Sequence, residues 1–211
     1  MSKTGRPREF DRDEALERAM KLFWAQGYEG TTLSDLQKAM GGITAPSFYA
    51  AFGSKEELFR EVVELYKKTE GAPVVKALLE GPTARASFEA MLRAAAVSVC
   101  GQSNPRGCLM VLGGINCTSA NKGIEDFLRE QRAIREKVIR QRLRRGIADG
   151  DLPASTDVNG LVSFYTSVAD GMAIRARDGA SRKALGDIVK WAMAAWDTVI
   201  GDGNDAKSTR A

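Results

Sequence analysis

Residues Thr31 to Phe59 constrain the fold of this chain more than any other stretch, because two short helix patterns flank a pair of glycines. In the first pattern, Thr32 followed three residues later by Asp35 is a helix cap, and apolar residues then recur at three- and four-residue spacing. Gly41 and Gly42 favour an abrupt end to this helix. The first helix is therefore predicted to finish in a tight turn.

A second short helix is predicted over residues 45–51. Thr44 is a suitable N-cap, and Pro46 lies in the first turn, where a missing N–H costs nothing. Two short helices across a tight turn predict a helix-turn-helix, whose second helix enters the major groove of DNA. Small and hydroxyl-bearing side chains allow close approach to base edges, so the residues predicted to face the major groove are Thr44, Ala45, Pro46, Ser47 and Ala50.

The first eight residues carry three basic side chains and no acidic one. Residues 9–68 carry eight basic and eleven acidic side chains, so DNA contacts must come from a local cluster and from helix N-termini. A basic arm beside a helix-turn-helix can reach the minor groove, although such a stretch alone also fits a solvated, disordered tail. The residues predicted to contact phosphates or the minor groove are Arg6, Arg8, Thr32, Tyr49 and Lys55.

The runs T-T-L-S-D-L and G-I-T-A-P-S-F-Y-A-A-F-G-S-K-E-E-L-F resemble the DNA-binding head of the TetR/AcrR family of bacterial repressors. The preceding F-D-R-D-E-A-L-E-R-A-M-K-L-F-W-A-Q-G-Y-E-G-T-T fits the same pattern. Two features depart from it: Gly41-Gly42 lengthen the turn by a residue, and Ala50-Ala51 stand where many members carry a His and an aromatic residue. The resemblance implies a homodimer, an all-helical ligand-binding and dimerisation body, and release of DNA when a small effector binds.

Helix signals flank this motif on both sides. Asp11 and Glu14 make a capping box, so a helix is predicted to begin there and to stop at Gly27. A further capping box at Ser54 opens a helix that joins the head to the body. The glycines and prolines of residues 71–82 predict a loosened connection after it.

Helical periodicity resumes beyond that connection. Helices are predicted over residues 84–101, 124–149 and 181–200, and another beginning at Thr156, with a short apolar piece over residues 108–117. The predicted fold class is all-α, with a three-helix helix-turn-helix head joined by a fourth helix to a helical-bundle body. The predicted divisions are 1–70 for the head with its basic arm, 71–200 for the effector-binding and dimerisation domain, and 201–211 for a disordered tail.

Residues 129–145 carry eight arginines or lysines and two glutamates. On an amphipathic helix such a run could be a second nucleic-acid surface, but it is more often a solvated face. We therefore predict a solvated face.

The last two predicted helices are rich in small residues, which permit close approach of one helix to another. We predict that they form the dimer interface, with a purely intramolecular bundle as the alternative. A monomeric head would supply too few DNA contacts, and two-fold pairing doubles them.

An apolar effector pocket is predicted inside the body. Aromatic, methionine and cysteine side chains gather on segments that should face one another, a composition typical of both cores and apolar pockets. With Asn116 as a polar anchor, the predicted ligand-binding residues are Phe88, Met91, Cys100, Leu109, Met110, Leu112, Asn116, Cys117, Phe127, Phe164 and Tyr165.

The chain contains no histidine, so a Ser-His-Asp or Cys-His relay and an imidazole-based zinc site are excluded. We therefore predict a protein that is not an enzyme and needs no cofactor. Cys100, Cys108 and Cys117 follow a C-x7-C-x8-C spacing, which matches no common zinc motif. We predict buried, hydrophobic cysteines, with a redox-sensing or soft-metal-sensing thiol site as the alternative.

Neither a membrane-spanning run nor a signal-peptide pattern occurs, which predicts a cytoplasmic protein. Together these patterns predict a transcriptional regulator, a repressor that binds a palindromic operator in double-stranded DNA as a homodimer and releases it when a small effector binds. The alternatives are a cysteine-based sensor of the same fold and a helical interaction protein without an effector.

Overall fold

The computed structural model describes residues 11–101 and 104–205, and within these ranges the chain is helical and contains no strand. The predicted all-α fold class is confirmed. In the same residues, no helix combines the length and the apolar character that a membrane crossing requires.

Four helices form the N-terminal head: α1 (Arg12–Gly30), α2 (Leu33–Ala39), α3 (Ala45–Phe52) and α4 (Lys55–Tyr66). Each begins at a side-chain cap that the sequence predicted. Thr32 makes a complete capping box with Asp35, and the Asp11, Thr44 and Ser54 side chains each accept a backbone N–H from the first turn. These hydrogen bonds satisfy donors that a helix N-terminus otherwise leaves unpaired.

Gly27 interrupts α1 as predicted, although helical turns continue on both sides of it. Its φ of 74° lies in the left-handed region that favours glycine. The resulting kink turns the Tyr28 side chain into the core of the head and lets the Tyr28 N–H donate to the Gly113 carbonyl at 2.7 Å.

Aromatic rings fill the core of the head. The Phe59 ring meets the Phe23 ring edge-on at 5.0 Å and the Tyr28 ring at 5.1 Å between centroids. Phe48 and Phe52 bury the inner face of α3 in the same core. Edge-on pairs are favoured by the ring quadrupole and bury a large area, so they hold α1 against α4. The buried rings of α3 join the same core.

The predicted loosened connection over residues 71–82 is wrong for most of its length. After α4 the chain makes one π-helical turn (Lys67–Gly71) and continues as α5 (Ala72–Glu80), which ends at Gly81. Pro73 lies in the first turn of α5, where its missing N–H breaks no intrahelical hydrogen bond. The prolines and glycines therefore bound a helix here.

The body contains α6 (Ala84–Cys100), the short α7 (Leu109–Leu112), a 3-10 turn (Ser119–Asn121), α8 (Lys122–Ala148), α9 (Val158–Arg177) and α10 (Arg182–Asp205). Helix α6 packs against α5, α9 and α10. At the centre of this packing the Phe88 ring lies 5.0 Å from the rings of both Tyr165 and Trp196. Helices α6 and α8 match the predicted ranges within two residues at each end, and α9 and α10 begin within two residues of their predicted starts.

Helix α10 runs to Asp205, so residues 201–205 of the predicted disordered tail are helical. Extending an existing helix adds one hydrogen bond for each residue that is fixed, which is easier than starting a new helix. Residues 206–211 lie outside the described residues.

The basic run on α8 is solvated only in part. Arg142 is 3% exposed, its Nε–H donates to the Ser87 hydroxyl at 2.8 Å, and its Nη2 donates to the Gly81 carbonyl. Arg135 pairs with Asp170 of α9 at 2.8 Å. These contacts correct the prediction, because two of the arginines face the packed side of α8.

Candidate nucleic-acid interface and interior cavity

The outer face of α3 carries small and polar side chains. Phe48 and Phe52 point inward, while Thr44, Pro46, Ser47 and Ala50 are exposed and Ala45 is half-buried. Thr44 Oγ1 accepts the Ser47 N–H at 3.3 Å and also lies 2.9 Å from the Ser47 hydroxyl oxygen, so the exposed Ser47 hydroxyl is engaged with the cap. No acidic residue occurs within α3, and its N-terminal end therefore presents a positive dipole toward a polyanion. Four of the five residues predicted to read bases lie at this end, and the exposed Ala50 lies about one turn further along α3.

The turn before α3 depends on two glycines. Gly41 and Gly42 have φ values of 89° and 82°, and the Gly42 N–H donates to the Gln37 carbonyl at 2.9 Å. A residue with a side chain adopts a positive φ only at a cost in conformational energy. The two glycines therefore set the direction in which the chain leaves α2 and enters α3.

The residues predicted to contact phosphates have different surroundings. Tyr49 is 52% exposed beside Phe48. The Thr32 hydroxyl lies at the surface but is engaged with Asp35 in the cap of α2. Arg6 and Arg8 lie outside the described residues.

Lys55 is half-buried at the first position of α4. Its ammonium lies 4.2 Å from the centroid of the Tyr28 ring, a distance at which the ring attracts a cation. Burial lowers the pKa of Lys55, and the nearby Glu29 carboxylate opposes that shift. The predicted phosphate contact stays a prediction, and the side chain also belongs to the junction between head and body.

Glu29 ties the end of α1 to the segment before α8. Its Oε1 accepts hydrogen bonds from the Thr118 N–H at 2.5 Å, the Thr118 hydroxyl at 2.7 Å and the Asn121 amide at 2.9 Å. The Asn121 amide and then the two Thr118 donors lower the pKa of Glu29 to about 2. An ionised carboxylate thus fastens the head to the body.

A cavity of about 640 Å³ extends into the body and opens to solvent at a rim that includes the exposed side chains of Val75, Leu79 and Ile134. Its wall comes from the π-helical turn and α5, from α6, from the segment around α7, and from α8 and α9. Most of the lining is aliphatic, including Val74, Leu78, Val99 and Ile139. This size and composition are typical of small-molecule sites.

The structure brings only Met91 and Met110 of the predicted ligand-binding residues to this cavity. Phe88 and Tyr165 are fully buried in the aromatic packing of the body, and Leu109 is buried in the core of the head. Cys100 and Leu112 pack against the body core, and Cys117 and Phe127 against the head core. Asn116 is exposed, and Phe164 is 43% exposed on the outside of α9. Nine of the eleven are thus outside the cavity lining.

Sequence reasoning missed the polar part of the wall, which includes Glu70, Gln131, Arg135, Thr166 and Asp170. A signal was present, because Gln131 and Arg135 are four residues apart on α8, and Thr166 and Asp170 are four apart on α9. That spacing places both members of a pair on one helix face.

Tyr66 connects the cavity to the head. It lines the cavity, and its ring meets the Trp24 ring edge-on at 4.9 Å. Burial, followed by the neighbouring Cys108, raises the pKa of Tyr66 well above its ordinary value, so the phenol stays neutral. Trp24 in turn donates its indole N–H to the Gly107 carbonyl at 3.1 Å. A displacement of Tyr66 at the cavity wall can therefore move Trp24 of α1 through the contact between their rings.

The three cysteines are free thiols with half-buried side chains. Cys108 lies at the cavity wall beside Tyr66. Cys117 lies near Glu29, and burial raises its pKa, which disfavours the reactive thiolate. Among residues 11–101 and 104–205, no group of three Cys, Asp or Glu side chains is placed to hold a metal ion.

Family models match both parts of the chain. The model described as bacterial regulatory proteins of the tetR family matches residues 15–62, and the tetracyclin repressor-like C-terminal domain matches residues 84–207. The chain belongs to the TetR family. It is accordingly a DNA-binding transcriptional regulator, as the resemblance of its helix-turn-helix predicted.

Curated relatives and solved structures agree with this assignment. The chain is 36% identical over 200 residues to the HTH-type transcriptional repressor ComR of Escherichia coli K12, covering 93% of each chain. It is 28% identical over 184 residues to the repressor BdcR of the same organism, covering 86% of each. A cysteine-substituted TetR family regulator CifR, complexed with 26-base-pair operator DNA, superposes with a TM-score of 0.86 at 43% identity. That match covers 90% of this chain and 100% of the CifR chain.

Proposed function

We propose that this TetR family regulator is a repressor that binds a palindromic operator as a dimer and releases it when a small effector enters the body cavity. The observation that carries the proposal is the contact between Tyr66, at the cavity wall, and Trp24, in the core of the head. The related ComR and BdcR are named repressors, and CifR is complexed with operator DNA. We place its action in the cytoplasm and assign it no catalytic reaction.

On the DNA side, we assign base reading to the N-terminal end of α3 and phosphate contacts to Tyr49, Lys55 and the basic arm. The exposed side chains at this end are short, which favours close approach of the backbone to base edges. We divide the chain at the π-helical turn, with residues 1–70 as the DNA-binding unit and 71–200 as the effector-binding and dimerisation unit.

The dimer interface is assigned to α9 and α10. Large apolar side chains remain exposed on these helices in the single chain, with Ile174 and Phe164 each 43% exposed and Trp191 71% exposed. Exposed apolar side chains of this size favour burial against another molecule. A symmetric pair would present two α3 helices to two half-sites of DNA.

The junction between head and body provides a route by which a bound effector causes release of DNA. Helix α4 runs from the head into the π-helical turn that borders the cavity, so a ligand that displaces this turn also displaces α4. An effector must bind the released arrangement more tightly than the DNA-bound one to shift the equilibrium.

The DNA part is tested by selecting an operator from random double-stranded DNA with the full chain. We expect a palindrome whose half-sites are about one helical turn apart, and we expect Ser47→Ala to change the preferred half-site sequence. Selection of a sequence without two-fold symmetry would contradict the dimeric arrangement.

The effector part is tested by screening small organic compounds for release of that operator. Ala169→Phe adds a ring at the cavity wall, so a compound that releases DNA from the wild type should fail to release it from this variant. Release that persists with an occupied cavity would show that the effector binds elsewhere.

A further inference from the structure

The polar groups on the cavity wall are balanced in charge. Three basic residues (Lys67, Lys76, Arg135) face three acidic residues (Glu70, Glu80, Asp170). Lys67 lies 2.8 Å from Glu64, Lys76 lies 3.9 Å from Glu80, and Arg135 lies 2.8 Å from Asp170. A charged ligand would lose its hydration and meet cations and anions that already have partners, which is costly.

Two hydrogen-bonding groups on this wall differ from the rest. Thr166 is 7% exposed, and its hydroxyl has no hydrogen-bond partner among the described residues. The buried Nε–H of Arg135 likewise has no acceptor in the described part of the chain, although its Nη2 is bound to Asp170. Most buried polar groups in folded proteins are paired, so two unpaired groups beside one cavity point to a ligand that pairs them.

These two groups belong to one corner of the cavity. Asp170 lies one helical turn after Thr166 on α9, and Arg135 of α8 reaches across to Asp170. The guanidinium is thereby held against the helix face that carries the Thr166 hydroxyl. Nε–H is a donor, and a hydroxyl can donate as well as accept, so an acceptor atom suits both groups. Both atoms are packed against protein, so the acceptor meets them after the Thr166 and Arg135 side chains rotate toward the cavity.

We propose that the cavity takes an uncharged, mainly apolar molecule that carries one hydrogen-bond-accepting oxygen, held by Thr166 Oγ1 and Arg135 Nε. The aliphatic wall contacts the apolar part, and the corner between α8 and α9 orients the oxygen. The neighbouring Asp170 carboxylate disfavours a carboxylate ligand, since two anions would share one guanidinium. The proposal rests on the proposed function only in taking this molecule to be the effector.

Binding is measured by calorimetry on the full chain with three probes that share a naphthalene skeleton. 2-Acetylnaphthalene carries a neutral carbonyl, 2-ethylnaphthalene has no oxygen, and 2-naphthoate is an anion. We expect the wild type to bind the ketone about tenfold more tightly than the anion. The quantity that tests the corner is the ratio of the ketone and hydrocarbon dissociation constants, compared between wild type and variants.

Thr166→Val removes the hydroxyl while preserving the shape of the side chain, and it should shift this ratio about fivefold toward the hydrocarbon. Thr166→Ser keeps a hydroxyl and should retain the wild-type ratio. Arg135→Lys preserves a positive charge beside Asp170 but removes Nε–H, and it should shift the ratio in the same direction as Thr166→Val. Thermal unfolding of each variant verifies that it is folded.

Three results would overturn the ligand class: no binding of either neutral probe, tighter binding of 2-naphthoate than of the ketone, or a ratio that Thr166→Val leaves unchanged. Operator release by the same probes is recorded separately. Binding with the expected ratios but without release would support the ligand class and contradict the effector role. Release without the expected ratios would support the effector role of the cavity and contradict the ligand class.

Discussion

Lys55 lies where the DNA-facing surface of the head meets the junction with the body. It is the first residue of α4, where we propose that it contacts a phosphate, and its ammonium packs over the Tyr28 ring near Glu29. Since the lowered pKa of Lys55 arises mainly from burial, an approaching phosphate would restore a favourable partner for the charge.

Replacing Lys55 with Ala should weaken binding to all DNA sequences alike, because a phosphate contact carries no sequence information. The slope of log affinity against log salt concentration should flatten by about one unit for each half-site. Binding isotherms over a salt series measure this, with Lys137→Ala on exposed α8 surface as the matched control. An unchanged affinity and slope would show that Lys55 serves only the junction.

Glu29 should make the free energy of unfolding of the chain depend on pH in the acidic range. Its folded-state pKa of about 2 lies below the ordinary 4.5, so the stability that its hydrogen bonds supply is present above pH 4.5. That contribution is lost as the pH falls from 4.5 toward 2.

Urea unfolding midpoints at pH 6 and pH 3 test this for the wild type and for Glu29→Gln. The wild type should lose more stability between the two pH values than the variant does, because glutamine does not titrate. Glu17→Gln, exposed on the same helix, should behave like the wild type. Equal losses of stability in the wild type and Glu29→Gln would contradict the role of the Glu29 carboxylate in fastening the head to the body.

Among the elements, the turn between α2 and α3 matters most for DNA reading. Phe48 and Phe52 anchor the inner face of α3, but the direction of its N-terminus depends on Gly41 and Gly42. A Cβ on Gly42 would meet no atom within 4 Å, so only the backbone angle opposes a side chain there.

Gly42→Ala should therefore destabilise the chain by about 1 kcal/mol, because φ near +82° strains an L-residue. Gly186→Ala is the control: it also meets open space, but it lies inside α10 and should stabilise by up to about 1 kcal/mol. Denaturant unfolding measures both values. If both substitutions changed the free energy of unfolding in the same direction, backbone conformation would not be the cause of the changes.

At the scale of the whole molecule, the head and body are joined at several places, and α9 and α10 carry three large exposed apolar side chains, Phe164, Ile174 and Trp191. Glu29 and the Tyr28 N–H fasten α1 to the segment around α7, and Arg177 of α9 donates to the Trp24 carbonyl at 3.2 Å. Movement of the body can therefore change the position of the head.

Sedimentation at micromolar protein should show a dimer that Ile174→Glu converts to monomer, because the substitution buries a charge in the proposed interface. Ile134→Glu is the matched control, since Ile134 is 41% exposed against 43% for Ile174 but lies on α8 at the cavity. It should leave the dimer intact. A monomeric wild type, or equal effects of the two substitutions, would contradict the assignment of the interface.

Features set by neighbours in the chain could be predicted from the sequence. The caps at Thr32, Thr44 and Ser54, the stop at Gly27 and the long helices of the body all depend on interactions within about four residues. The exposed reading face of α3 follows from the same spacing, because Phe48 and Phe52 claim its inner side.

Tertiary packing alone decided the cavity. Phe88 is as apolar as Met91 and Met110, yet it fills a core and the two methionines border a space of about 640 Å³. Composition cannot separate these cases, because the same side chains favour burial against protein or against a ligand. The polar corner at Thr166 and Arg135 required α8 and α9, distant in sequence, to meet at Asp170. The contact of the Lys55 ammonium with the Tyr28 ring likewise joins residues that are distant in sequence.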